Sequence, residues 1–415
     1  MSGARTGDFG RVASSLRWTL LGEVLFAAGQ FGLMMVMARL GSDAALGRYA
    51  LGLAIATPLF VLTSLHLRPT YVVTNEEDLS FGHYWALRLV GAPAAVVLAA
   101  IWASLAGLDA TTAAVVVWVA LMRMSEMLAD LCHASAARDE TLDRVGVSRA
   151  LRGMLLLGTV GGAMLAGVSE TTALALGALV GLLVTVTYDF ETARRHASLL
   201  PRFDRRLLWR LTLLAAPVGL AGGLLGLTIN TPAYVLEHSV GVESLGDYAA
   251  IVSILFISGV LNAAVGGAAV PRLARLFETD RAAFVRLLSR IAAVVAGCGF
   301  VLLLACVFLG ELYLAIAYGP RFTSLAPSLI YSGGIAFVAG LANLLSQTLV
   351  SMKRFRMQFT INAVTFVAAV ALAFTLVPDS GVQGALLTLG LLSVGRLVAY
   401  VGIIGTLVRR PGVPT

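Results

Sequence analysis

Twelve runs of roughly 20 or more mostly apolar residues, separated by short polar turns, dominate this chain. They cover about residues 18–38, 47–67, 84–106, 111–132, 148–168, 171–190, 211–232, 247–269, 288–310, 326–350, 357–377 and 384–407. About 20 apolar residues in helical form cross the hydrocarbon of a bilayer. In lipid a segment satisfies its own backbone hydrogen bonds only as a helix or within a closed barrel. Several runs pass 20 residues without every-second-residue alternation, so helices are expected throughout. Composition agrees: 58% of residues are apolar, 13% are charged, and the mean hydropathy is +0.88. A soluble chain of this balance lacks the polar groups to cover its own surface. The expected fold class is therefore an all-α membrane protein with twelve transmembrane helices.

The basic residues orient the bundle. With the N-terminus inside, 25 of the 30 lysines and arginines fall on cytoplasmic ends and loops, among them Arg68, Arg88, Arg138, Arg149, Arg152, Lys353, Arg409 and Arg410. Arg39, Arg48 and Arg321 fall outside, and Arg123 and Arg396 lie mid-span. This follows the positive-inside rule and places both termini in the cytoplasm. The first run is longer than a signal-peptide core and carries Glu23 and Gln30, so it reads as a retained span. Lys353 is the one lysine among 29 arginines, a usage that points to a GC-rich bacterial genome and a bacterial cytoplasmic membrane. The net charge of +7 is dispersed between apolar runs, with no basic face suited to nucleic acid.

Leu46-Gly47-Arg48-Tyr49-Ala50 opens the second run, and Leu245-Gly246-Asp247-Tyr248-Ala249 opens the eighth, 199 residues later. The repeat suggests a six-plus-six division: a bundle over 1–191, a cytoplasmic linker over 192–210 and a bundle over 211–415. An even number of spans inserts both halves the same way up, so the expected relation is a pseudo-two-fold axis along the membrane normal. The longest exterior loops are expected at about 233–246 and 311–325.

An ionisable group at the bilayer centre costs about 2.5–3.5 kcal/mol on insertion scales, so such groups normally face a cavity or a partner. Arg123 is near the midplane of span four. Glu126 and Asp130 follow one and two helical turns on, on the same face. Arg396 is similarly deep in span twelve, Glu23 shares a face with Gln30, and Arg88 sits at the inner end of span three beside His83 and Tyr84. The candidate substrate-binding set is Arg123, Arg396, Arg88, Glu126, Glu23 and Asp130. A structural reading stands beside each: Arg123 and Glu126 as a helix–helix ion pair, Arg68 and Arg88 as snorkelling interface anchors, and the buried amides as interhelical glue. The histidines form no ligand pattern and read as incidental. Cys132, Cys298 and Cys306 read as apolar filler. No phosphate-binding loop, nucleophile elbow or paired-carboxylate signature is present, and no loop is long enough for a catalytic domain. The expectation is a transporter without enzymatic activity, metal or cofactor.

Ala38-Arg39-Leu40-Gly41 followed by Leu46-Gly47-Arg48-Tyr49-Ala50-Leu51 resembles the first hairpin of bacterial polysaccharide flippases. Phe81-Gly82-His83-Tyr84-Trp85-Ala86-Leu87-Arg88-Leu89 is similar to the opening of their third span. These are the O-antigen and exopolysaccharide translocases of the multidrug/oligosaccharidyl-lipid/polysaccharide exporter superfamily. The resemblance implies two six-helix bundles around a central cavity, alternating access, and a polyprenyl-diphosphate-linked oligosaccharide as substrate. It implies membrane lipids, a polysaccharide polymerase and glycosyltransferases as partners, with protons or sodium as coupling ion. The peptidoglycan-precursor branch is disfavoured, since it typically has fourteen spans. Guanidinium groups suit a diphosphate, which is consistent with arginine as the midplane base. Two alternatives remain at this point: a cation-coupled drug or metabolite extruder of the same superfamily, which would favour a net negative cavity, and a membrane glycosyltransferase or polysaccharide ligase, which would favour large exterior loops.

Overall fold

A computed structural model of the chain describes residues 4–73, 78–138, 142–352 and 354–409. Lys353 and Arg410, both assigned above to the cytoplasmic side, lie outside the described residues. Among the described residues there are helices and no strands: α1 (Ala4–Leu40), α2 (Ala45–Ser64), α3 (Leu67–Val73), α4 (Phe81–Leu105), α5 (Ala110–Arg138), α6 (Leu142–Leu165), α7 (Glu170–Val184), α8 (Phe190–Arg194), α9 (Arg205–Val240), α10 (Val242–Thr279), α11 (Arg281–Ala317), α12 (Ala326–Ser351) and α13 (Phe355–Arg409). A π-helical turn, Thr185–Asp189, joins α7 to α8, and a 3-10 turn, Pro320–Leu325, leads into α12.

Ten segments among the described residues are long and apolar enough to cross a membrane, and the chain is a multi-pass membrane protein. α6 is outside that ten because Arg149 and Arg152 lower its hydropathy. α13 counts once, although Gly381 breaks it with φ 55° and ψ −128°, a conformation that glycine adopts without a Cβ clash. With α6 included and α13 divided, each of the twelve expected runs has its helix.

The helices outrun the apolar segments. α10 continues to Thr279 past Arg272 and Arg275, and α11 starts at Arg281. Hydropathy marks only the hydrocarbon layer, whereas helical hydrogen bonds continue into the interface. The exterior loops expected at about 233–246 and 311–325 are for that reason mostly helix. A single residue, Gly241 at φ 112°, separates α9 from α10, and α11 runs to Ala317. Asp109, Ser169, Asp204 and Asp280 cap the helices that follow them by accepting backbone N–H bonds.

The chain forms two compact units, Met1–Gly226 and Leu227–Thr415. In the first, α5 packs against α2, α4 and α7, while α1 lies along α6. That second seam is made of glycine. A Cβ on Gly22 would meet the Gly146 carbonyl oxygen at 2.1 Å, and one on Gly29 would meet the Gly153 carbonyl oxygen at 2.4 Å. The shared seven-residue spacing makes α1 and α6 parallel neighbours with backbones in contact. The unit extends beyond the 192–210 segment because Gly219, Gly222 and Gly223 of α9 pack on Leu65, His66 and Leu62.

α2 ends at two consecutive left-handed residues, Leu65 at φ 49° and His66 at φ 51°. Non-glycine residues adopt this conformation at a cost. The turn redirects the chain into α3, which carries Arg68. In the second unit α12 packs against α10, α11 and α13. The repeated motif has the same use in both units: Leu46 and Tyr49 are buried near the start of α2, and Leu245 and Tyr248 near the start of α10.

Candidate functional site: a charged cavity in the first unit

α5 builds the site. Arg123, Glu126, Asp130 and His133 recur at helical spacing, so they form one stripe along the helix. All four line a cavity of about 260 Å³, closed by residues of α1, α2, α4 and α6 that include Phe26, Ser64, Arg88, Arg149 and Arg152.

The stripe is held by three sets of contacts. At its first turn Arg123 Nη1 donates to Glu126 Oε2 at 2.5 Å, and Gln30 Nε2 from α1 donates to Oε1 of the same carboxylate at 2.9 Å. Further along, Asp130 lies between two arginines. Arg68 Nη1 donates to its Oδ1 at 2.8 Å, and Arg88 Nη2 is 3.8 Å from its Oδ2. Beyond it is a buried group of five side chains. Arg152 Nη2 donates to Asp189 Oδ2 at 2.9 Å and Nη1 to Ser125 Oγ at 2.7 Å. The Ser148 hydroxyl donates to Asp189 Oδ1 at 2.5 Å, and His133 Nε2 lies 3.0 Å from Ser148 Oγ and 3.2 Å from Asp189 Oδ1. Asp189 ends the π-helical turn, in which the Phe190 N–H bonds back to the Thr185 carbonyl. Such a turn inserts an extra residue into the helix, a device common at functional sites.

Burial raises the stakes of every pairing. Arg88 and Asp189 are 1% exposed and Arg152 is 2% exposed. A charge this deep without its partner costs several kcal/mol. Three buried polar atoms of cavity-lining residues nevertheless have no hydrogen-bond partner among the described residues: Nε of Arg88, Nε of Arg149 and Nδ1 of His133. Arg149 uses Nη1 on Glu23 at 3.2 Å, with its guanidinium 5.1 Å from the Phe26 ring centre. Four arginines line the cavity against the carboxylates of Glu126 and Asp130, a formal excess of two positive charges with His133 neutral. Adding the groups directly behind the wall, Arg68, Glu23 and Asp189, gives five arginines against four carboxylates, still positive.

In the second unit, Arg396 is 5% exposed, and its Nη2 donates to Asn343 Oδ1 at 3.1 Å. Tyr400, whose ring lies 5.9 Å from that guanidinium, donates to Ser346 Oγ at 3.1 Å. Arg396 makes no ion pair among the described residues.

The helical fold has counterparts among known proteins. The chain is 21% identical over 399 residues to the capsular polysaccharide biosynthesis protein CapF of Staphylococcus aureus, covering 94% of this chain and 98% of CapF. It superposes on the lipid II flippase MurJ in an inward closed conformation with a TM-score of 0.73 at 11% identity, covering 95% of this chain and 87% of MurJ. The fold is that of MurJ and the MATE transporters. An inward-facing MATE multidrug resistance transporter of the MOP superfamily gives a TM-score of 0.69 at 11% identity, covering 93% of this chain and 95% of the transporter. No protein-family model matches the chain. The resemblance drawn from Ala38–Leu51 and Phe81–Leu89 thus extends, as a likeness of fold, over nearly the whole chain.

Of the candidates read from sequence, Arg123, Glu126, Asp130 and Arg88 come together on one cavity, and Glu23 holds the lining Arg149. Arg396 lies in the second unit. Arg88 does not snorkel to the interface; it is buried against Asp130, because the turn at Leu65–His66 also directs Arg68 there and the carboxylate serves both. His133 is not incidental. Arg149, Arg152, His133, Ser148 and Asp189 lie outside the candidate set that the sequence offers. Two signals pointed to them: His133 continues the Arg123–Glu126–Asp130 stripe by three residues, and Asp189 is an acid inside the sixth apolar run.

Proposed function

We propose that the protein is an alternating-access flippase for a polyprenyl-diphosphate-linked oligosaccharide, acting in the bacterial cytoplasmic membrane in cell-surface polysaccharide biosynthesis. The observation that supports this most directly is the excess of arginine over carboxylate in the cavity. A guanidinium presents parallel N–H donors to phosphate oxygens, and a low-dielectric wall strengthens each contact. A site for a cationic drug would carry the opposite sign, so the cavity favours an anionic substrate over the extruder alternative. CapF is named for capsular polysaccharide biosynthesis and MurJ for flipping lipid II, and the two names together support the same substrate class.

In this reading Arg123 and Arg88 meet the diphosphate, Glu126 and Asp130 hold those arginines when the cavity is empty, and Glu23 positions Arg149. Arg396 is the corresponding candidate of the second half. The halves 1–191 and 211–415, joined through 192–210, open the site alternately to either side. Protons or sodium, or the flux of substrate itself, supply the driving force. The chain is a transporter rather than an enzyme, and the polymerase and glycosyltransferases of the pathway are its partners. Both termini are cytoplasmic: reporter fusions after Arg206 read inside and after Ser244 outside. The deciding experiment uses proteoliposomes carrying a fluorescent polyprenyl-diphosphate oligosaccharide and an impermeant quencher. Protein raises the quenched fraction above the half exposed in protein-free vesicles. No increase, together with transport of a cationic dye, would establish the extruder instead.

A further inference from the structure

His133 has one ring nitrogen committed and one open. Nε2 faces the Asp189 carboxylate at 3.2 Å and the Ser148 oxygen at 3.0 Å, and Ser148 spends its own proton on Asp189. Nε2 therefore faces two acceptors and carries the proton. Nδ1 is then an unprotonated lone pair, buried and without a partner among the described residues, on a residue that lines the cavity. The arrangement is that of an imidazole held in one tautomer by a carboxylate, with its second nitrogen ready to take a proton.

The charged groups around this ring decide when it does so. Asp189 faces it from the π-helical turn, Arg149 of α6 lines the same cavity, and Arg68 of α3 pairs with Asp130 beside it. Arg152 of α6 shares Asp189, Asp130 is three residues earlier on α5, and Arg88 of α4 shares Asp130. In the empty cavity the ring has the Asp189 carboxylate on its Nε2 side and shares the cavity lining with four arginines. An anion that neutralises those arginines also offers an oxygen to a new N–H at Nδ1. Resting on the diphosphate reading of the cavity, we propose that His133 is a proton-linked ligand of the anionic substrate: binding of a diphosphate takes up a proton at Nδ1, which then donates to a phosphate oxygen. Asp189 and Ser148 are positioning residues that fix the tautomer. Affinity then rises as pH falls, by up to about tenfold per pH unit for one linked proton.

The test uses the full chain in nanodiscs, ¹⁵N-labelled at histidine, with inorganic pyrophosphate as probe. The chain has only five histidines, and His133→Gln identifies the resonance. If that variant does not fold, a chain with the other four replaced by glutamine serves instead. Near pH 7.5 the free protein shows a neutral His133 with its proton on Nε2. Saturating pyrophosphate converts it to imidazolium, and calorimetry in two buffers of different ionisation enthalpy reads about one more proton taken up than in His133→Gln. Pyrophosphate that binds, and does so more weakly in Arg123→Ala, while His133 stays neutral overturns the proton linkage and leaves the cavity reading intact. Pyrophosphate that does not bind at millimolar concentration overturns the diphosphate reading and the linkage with it.

Discussion

The two units handle a buried arginine in opposite ways. In the first, Arg152 sits against Asp189, Arg68 and Arg88 share Asp130, and Arg123 meets Glu126. In the second, Arg396 is nearly as buried, and its contacts among the described residues are the Asn343 amide oxygen and the Tyr400 ring. A pair whose members can exchange partners is suited to binding and release, because the carboxylate holds the guanidinium whenever the ligand is absent. An arginine held by an amide oxygen has no neighbouring carboxylate to offset its charge. The first unit therefore looks like the place where charge is rearranged, and the second like a fixed positive point.

The largest effects should expose that difference. Asp189→Ala leaves Arg152 buried without its carboxylate, so a stability loss of about 3–5 kcal/mol is expected, read as a collapse in thermal stability or folded yield. Arg396→Met removes a charge and strands no carboxylate. Its melting temperature should remain close to wild type while export falls. A comparable stability loss in both variants would break the comparison. Backbone contact gives a second contrast. Gly146→Val drives a side chain into the Trp18 carbonyl across the α1–α6 seam, with an expected loss of about 1–3 kcal/mol, whereas Gly402→Ala in the second unit meets nothing within 4 Å and should cost no stability.

The smallest effect concerns helix starts. Asp109 receives the Thr112 hydroxyl and the backbone N–H groups of Thr111 and Thr112, whereas at Asp280 the Ala283 N–H is the capping bond. The Thr112 hydroxyl first, then the backbone donors, holds the Asp109 carboxyl below its ordinary range. A carboxylate with a lowered folded value contributes stability above its ordinary pKa of about 4 and loses it as pH falls through the folded value. Asp109→Ala should cost about 1 kcal/mol near neutral pH, more than Asp280→Ala, and the cost should shrink in acid melts.

The sequence made the architecture legible because the bilayer imposes length and polarity on each helix. It made the Arg123–Glu126–Asp130 stripe legible because three residues on one helix share a face by spacing alone. It could not show that Asp130 belongs to Arg68 and Arg88, since that pairing depends on the left-handed turn at Leu65–His66, whose residues carry no glycine signal. Nor could it show Asp189 meeting Arg152, His133 and Ser148, because contacts among three helices depend on a π-helical turn with no marker in its sequence. Arg149 and Arg152 give no separate signal, because basic residues at the start of a span are what the positive-inside rule already expects. Helix ends past the hydrocarbon, such as Thr279 of α10, left no hydropathy trace at all.

The central claim is that Arg123 meets substrate and that its pair with Glu126 is the resting arrangement. Export of lipid-linked oligosaccharide and abundance of the protein, measured together for Arg123→Ala, Arg123→Lys and the double change Arg123→Ala with Glu126→Ala, test it most directly. The account predicts lost export at near-normal abundance for the alanine variant, partial export for lysine because charge remains and the fork is lost, and no export from the double variant. A single variant that loses abundance, with abundance and export restored together in the double, would contradict it and leave Arg123 and Glu126 as a structural pair.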